Sequence, residues 1–157
     1  MAEVRVIVDS RVQADVVLAA AHDFSNRRPD IFPAVQLEHM EVHELGESSA
    51  DVTEGTRSGP MLNWERCRYD WSKPGVVRAD VTDSNIYEVE PSWWELRATP
   101  TEHGSHVEMI WEREFRRTPK SRLFNFVYLR FGDRIFGKYG HEVLENIEKL
   151  AEPEADA

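Results

Sequence analysis

Between residues 36 and 115 the chain is cut into six runs in which apolar residues tend to recur at every second position. The runs fall at about 36–45, 49–58, 61–72, 76–83, 92–99 and 105–115. A period of two places alternate side chains on opposite faces of a strand. The joints between runs are Leu45-Gly46-Glu47-Ser48, Ser58-Gly59-Pro60, Lys73-Pro74-Gly75, Glu90-Pro91-Ser92 and His103-Gly104. Glycine supplies positive φ in such turns and proline presets φ. Joints this short favour antiparallel neighbours, because parallel strands need long crossovers. A six-strand meander is therefore the frame that the remaining segments must fit.

Val4, Val6 and Val8 alternate with Arg5, Ile7 and Asp9, which adds a first strand and makes seven. Asp15 is a suitable cap for a helix running through Val16-Val17-Leu18 to about Phe24. The stretch from Ser25 to Pro33 predicts a second short helix bounded by its prolines. At the other end, Thr118 suits an N-cap and Pro119 a first helical position. Behind them Phe124, Tyr128, Phe131, Ile135, Tyr139, Val143, Ile147 and Leu150 recur at three- and four-residue steps, the period of an amphipathic helix. A straight rod of about 32 residues would run roughly 48 Å. A compact chain of this length has a diameter near 40 Å. Gly132, Gly137 and Gly140 each cost about 1 kcal/mol relative to alanine inside a helix. Length and glycine content together predict a break near Gly132 and a main helix continuing to about Ala151. The fold class expected is α+β: a curved sheet of seven antiparallel strands around a long C-terminal helix, with two short helices after strand 1.

With 157 residues the chain is long enough for one domain, placed at 1–151, and the acidic segment 152–157 is expected to fray. Its net charge of -10 argues against nucleic acid, since Arg27-Arg28 and Arg116-Arg117 are too short to make a phosphate-tracking stripe. The lone Cys67 forms no internal disulfide, and the N-terminus lacks a signal-peptide core. No run approaches the roughly 20 apolar residues of a membrane span. A cytoplasmic protein without stable membrane insertion is expected.

Val16-Val17-Leu18, then Asp23-Phe24, then Pro29-Asp30-Ile31-Phe32-Pro33 resembles the two-helix entry of the START-like, Bet v 1-like superfamily, also called SRPBCC or polyketide cyclase/dehydrase. The ending Val-Leu-Glu-Asn-Ile-Glu-Lys-Leu-Ala-Glu at 143–152 is similar to that family's last helix. The resemblance covers nearly the whole chain through structural motifs, with no catalytic signature to transfer. It implies a helix-grip fold enclosing a cavity, and a lipid, polyketide, isoprenoid or hormone as ligand, with cyclisation or dehydration in some members.

Alternation assigns the inner face. In the last strand Val107, Met109, Trp111 and Phe115 point one way and bring Arg113 with them. Trp94 and Leu96 do so in the strand before, and Val77, Ala79 and Val81 in the one at 76–83. Cys67, Tyr69, Trp71 and Glu65 share the inner face of 61–72. Apart from the three residues of 76–83, these and Phe131, Ile135 and Tyr139 from the helix are the candidate cavity-lining residues: apolar walls with a few orienting polar groups. Filling of the core by the same aromatics is the plain alternative. His39 and His43 flank Glu41, but on a strand they lie roughly 13 Å apart, too far for one ion. His22 falls at a helix end, where a cation would favour the dipole. No nucleophile, metal or nucleotide motif is present, and Cys67 lacks a histidine partner. No cofactor and no metal is expected.

The first function expected is binding or transport of a hydrophobic small molecule. The second is a cyclase, aromatase or dehydratase in which Tyr69, Glu65 and Arg113 serve as acid, base and oxyanion partner. The third is a protein-interaction module, supported by the outward Trp93. A homodimer remains open as a partner.

Overall fold

In the computed structural model, which describes residues 2–152, strand β1 (Ala2–Ser10) is followed by helices α1 (Ala14–Ala21) and α2 (Arg28–Ile31). Six strands follow: β2 (Glu41–Leu45), β3 (Ser49–Ser58), β4 (Met61–Asp70), β5 (Val76–Ser84), β6 (Trp93–Thr101) and β7 (Gly104–Arg113). Helix α3 (Pro119–Ala151) closes the chain. The strands form one antiparallel sheet in the order β1-β7-β6-β5-β4-β3-β2, the meander that the turn residues predict, with β1 folded back onto β7. The curved sheet and the long terminal helix make the helix-grip arrangement.

The register carries the inner row across strands. Val4 faces Trp111, Val6 faces Met109 and Val8 faces Val107. Leu96 pairs with Met109 and with Val77, and Cys67 pairs with Val81. These side chains, apart from the half-buried Val8, are buried and meet Val143, Leu144 and Ile147 of α3 in one core. Full burial of such a side chain contributes about 1.5–3 kcal/mol.

Several boundaries differ from the sequence reading. Asp15 lies in the first turn of α1, and Gln13 is its N-cap. Residues 37–39 form a 3-10 turn before β2 begins at Glu41. Trp71 lies just past β4 and Phe115 just past β7, so neither sits on a strand. His22 does end α1, but burial pushes its imidazole below the ordinary value, and it stacks on Trp71 at 4.4 Å. Its ring is held by that stacking, and burial disfavours the cation that would suit the dipole. Glu152 caps α3 and pairs with Arg11 at 2.9 Å, while residues 153–157 of the expected tail lie outside the described residues.

The predicted break at Gly132 does not occur. Helix α3 is continuous over 33 residues, capped by the Thr118 hydroxyl accepting from the Ser121 N–H. Two of the glycines are close-approach positions. A Cβ on Gly132 would lie 3.3 Å from Val4, and one on Gly140 would lie 3.1 Å from Val6. Their missing side chains let α3 lie against β1, and the burial gained there offsets the helix-propensity cost. The fold accommodates the full length because one flank of the N-terminal half is left uncovered by the sheet. Leu123, Phe126 and Leu129 are all exposed.

Gly104 opens β7 with φ +157, and a Cβ there would sit 2.1 Å from the carbonyl oxygen of Ser10. The clash is with backbone, which cannot rotate aside. Gly104→Ala is expected to cost roughly 1–3 kcal/mol in chemical denaturation. An unchanged midpoint would mean that the β1–α1 corner yields freely.

Candidate functional site

Between the concave face and α3 lies a partly open cavity of about 350 Å³. That volume is at the lower end of the range for ligand pockets. Its apolar walls include Phe32, Trp94, Met109, Trp111, Ile135 and Phe136. Two ion pairs are set into these walls, one fully buried and one with a half-buried carboxylate.

The first pair joins Arg28 of α2 to Glu54 of β3. The Arg28 Nε lies 3.0 Å from Glu54 Oε2, and Nη2 lies 3.3 Å from Oε1. Nη1 donates to the carbonyl oxygens of Ala21 and Asp23 at 2.8 and 3.3 Å, satisfying acceptors at the end of α1. The guanidinium also lies over the rings of Phe24 and Phe32, at 4.6 and 4.2 Å from their centroids. Burial opposes its charge, but the Glu54 carboxylate together with the Tyr69 and Tyr139 phenols more than offsets that and raises its pKa. The Tyr69 hydroxyl donates to Glu54 Oε1 and accepts from Arg28 Nη2 at 3.2 Å. Burial and the adjacent Glu54 carboxylate push the Tyr69 phenol well up. This network is closed, and every member has its partner.

The second pair is different. Glu65 stands directly opposite Glu54 in the β3–β4 register, so two carboxylates share one patch of wall. Arg113 faces Glu65, with Nη1 3.1 Å from Oε2 and Nη2 donating to Oε1 at 3.4 Å. The Tyr87 ring lies under the guanidinium at 4.6 Å. Yet Nε of Arg113 and Oδ1 of Asn63 have no hydrogen-bond partner, and Nη1 and Oε2 meet as an ion pair without hydrogen-bond geometry. Buried polar groups left unmatched are costly, so such a cluster is expected to have a further partner. Burial raises the Glu65 pKa, Arg113 works against that, and Glu54 adds to it. Burial pushes the Tyr87 phenol up to about 12.

Of the sequence candidates, Glu65, Tyr69, Trp94, Met109, Trp111, Arg113, Ile135 and Tyr139 line this cavity. Leu96, Val107 and Cys67 lie outside its lining, packed in the core. The Cys67 thiol is buried and pushed well up by that burial, which disfavours the thiolate that a nucleophile needs. Trp71 covers His22, and Phe115 packs on Tyr87 and Tyr128. Phe131 is exposed and lies outside the lining, because its helix azimuth points away from the sheet. The sequence reading missed Arg28, Glu54, Asn63 and Tyr87. A signal for Glu54 did exist: Ala50, Val52 and Glu54 alternate onto the inner face, and an inward carboxylate needs a buried cation.

The family described as polyketide cyclase / dehydrase and lipid transport matches residues 1–152. No curated protein matches the sequence. Among solved structures, TTHA0849 from Thermus thermophilus superposes with a TM-score of 0.76 at 12% identity, covering 96% of this chain and 100% of that one. The Zhui aromatase/cyclase from Streptomyces sp. R1128 superposes with a TM-score of 0.74 at 17% identity, covering 99% of each chain. A START superfamily protein from Mycobacterium smegmatis gives 0.60 at 11% identity, with 94% and 92% covered. At these identities the likeness is one of fold.

Proposed function

Since the chain belongs to the polyketide cyclase/dehydrase and lipid transport family, we propose that it binds a hydrophobic small molecule with one oxygen function directed at Arg113. The observation that carries this reading is the Nε–H of buried Arg113, which has no hydrogen-bond partner, in a cavity whose walls are mainly aromatic. A carbonyl, phenolic or carboxylate oxygen would accept from this Nε–H, and the aromatic walls would take the rest of the ligand. Tyr69 is committed to Glu54 and Arg28, so it holds the wall in place and does not serve the ligand.

The second reading is a cyclase or dehydratase, favoured by the convergence of Glu65 and Arg113 on one cavity. With its raised pKa, Glu65 is suited to exchange a proton with a bound polyketone, while Arg113 donates to the oxygen that gains charge. The acid role assigned to Tyr69 in the sequence reading has no support in this geometry.

Anilinonaphthalene sulfonate combines apolar rings with an anionic oxygen group and serves as the probe. Calorimetric titration is expected to give saturable one-to-one binding. Arg113→Gln should weaken it by roughly 10–100-fold, the worth of a hydrogen bond to a charged group. The double variant Glu65→Gln/Arg113→Gln guards against an unpaired carboxylate as the cause. Equal affinity in all three proteins would remove Arg113 from the site. Conversion of a linear polyketone by the wild type, lost in Glu65→Gln with binding retained, would select the enzyme reading.

A further inference from the structure

The charge of the chain is unevenly spread. Between Arg116 and Lys138 seven cations meet one carboxylate, Asp133, so this segment carries +6 and the rest of the chain -16. Arg122, Arg130, Arg134 and Lys138 are exposed on α3, and among the described residues no carboxylate stands within ion-pair distance of them. On the same turns Leu123, Phe126 and Leu129 are 61%, 64% and 65% exposed, and Phe131 and Ile135 are 44% and 49% exposed. Apolar groups gathered on a surface in this way mark an interaction site. Ile135 belongs both to this surface and to the cavity lining, so the surface adjoins the mouth.

From this we infer that the N-terminal half of α3 docks on an anionic lipid surface, presenting the cavity mouth to it. At about 100° per residue the five apolar side chains fan over roughly 240° of the helix, with the four cations between them. A protein groove reads one narrow stripe at i, i+3, i+4 and i+7. A lipid interface has no fixed pockets. It accepts apolar groups anywhere on the exposed side, while arginine and lysine reach back to the phosphates. The remaining negative charge of the chain does not forbid contact, because salt screens it beyond about 8 Å. No helix among the described residues is long and apolar enough to cross a membrane, so the contact is with the surface alone.

Sedimentation of the full chain with phosphatidylcholine vesicles, with and without about 30% phosphatidylserine, tests this. Binding is expected only to the anionic vesicles, and it should fall at least tenfold as salt rises from ~50 to ~500 mM. Arg130→Glu/Arg134→Glu should lower it by at least roughly 25-fold, about fivefold for each cation. Both positions are exposed and lie outside the cavity lining, so the melting temperature and probe binding should stay unchanged. Leu123→Ser/Phe126→Ser should weaken vesicle binding as well. No sedimentation at low salt would overturn the inference, as would binding that the charge reversals leave intact. A dimer dispersed by those reversals, without vesicle binding, would instead make a second copy the occupant. Probe binding reports the cavity separately, so the two readings fail independently.

Discussion

Arg28→Leu is expected to lower folding stability by about 3–5 kcal/mol, a larger loss than most single substitutions cause. In a chain of this size that corresponds to a fall in Tm of roughly 6–20 °C. Arg28 is only 1% exposed, and its guanidinium links three parts of the fold. It accounts for two carbonyl oxygens near the end of α1, pairs with Glu54 on β3, and packs over Phe24 and Phe32. Leucine supplies the apolar contact but leaves the Glu54 carboxylate buried with only the Tyr69 hydroxyl as a donor. The main penalty is that uncompensated charge and not the net worth of the pair. Arg28→Leu/Glu54→Leu should therefore recover a good part of the loss, because removing both partners can be nearly neutral. Urea denaturation of the two variants beside the wild type decides it. If Arg28→Leu stays within about 1 kcal/mol of wild type, the network is not a structural staple.

The fold was legible because two signals agreed at every joint. Alternation in Val107, Met109 and Trp111 named the inner face of β7, and the Gly104 turn forced the antiparallel partner. The break expected in α3 rested on the length of the rod and on glycine propensity, and both gave way to packing. Sequence cannot tell that Gly132 and Gly140 face Val4 and Val6, since that depends on how closely α3 approaches β1. The site was half legible for a related reason. Glu65 and Arg113 could be found because they interrupt apolar rows on strands, where the period of two is strict. Arg28 was hidden because it sits in a four-residue helix too short to show a period, next to an exposed Arg27 of the same charge. Tyr87 lies in the irregular segment after β5, where no alternation applies. The basic, apolar flank of α3 was visible in the sequence all along. Its meaning waited on exposure, because the same Phe and Leu spacing also describes a buried stripe.

All four tyrosines should stay un-ionised in the folded chain well above pH 10, and their ionisation should coincide with unfolding. Burial is the leading cause at each, and it lifts Tyr87 to about 12 from the ordinary 10.0. Each phenol is an acid whose pKa is higher in the folded state than in the unfolded one. Above pH 10 the unfolded chain therefore releases protons that the folded chain retains, and stability falls as pH rises. A phenol that is fully protected costs about 1.4 kcal/mol per pH unit in this window. Tyr69 and Tyr128 are buried, whereas Tyr87 and Tyr139 are half-buried and contribute less, so the four together give at most roughly 5 kcal/mol per unit. Against a total stability of about 5–15 kcal/mol, this loss should unfold the chain no sooner than about one to three units above pH 10. Tyrosinate absorbance and far-UV ellipticity, followed together through the titration, should change in a single steep step. A gradual rise in absorbance centred near pH 10 with ellipticity intact would mean that water reaches these rings, and that the cavity wall around Tyr69 and Tyr87 is open.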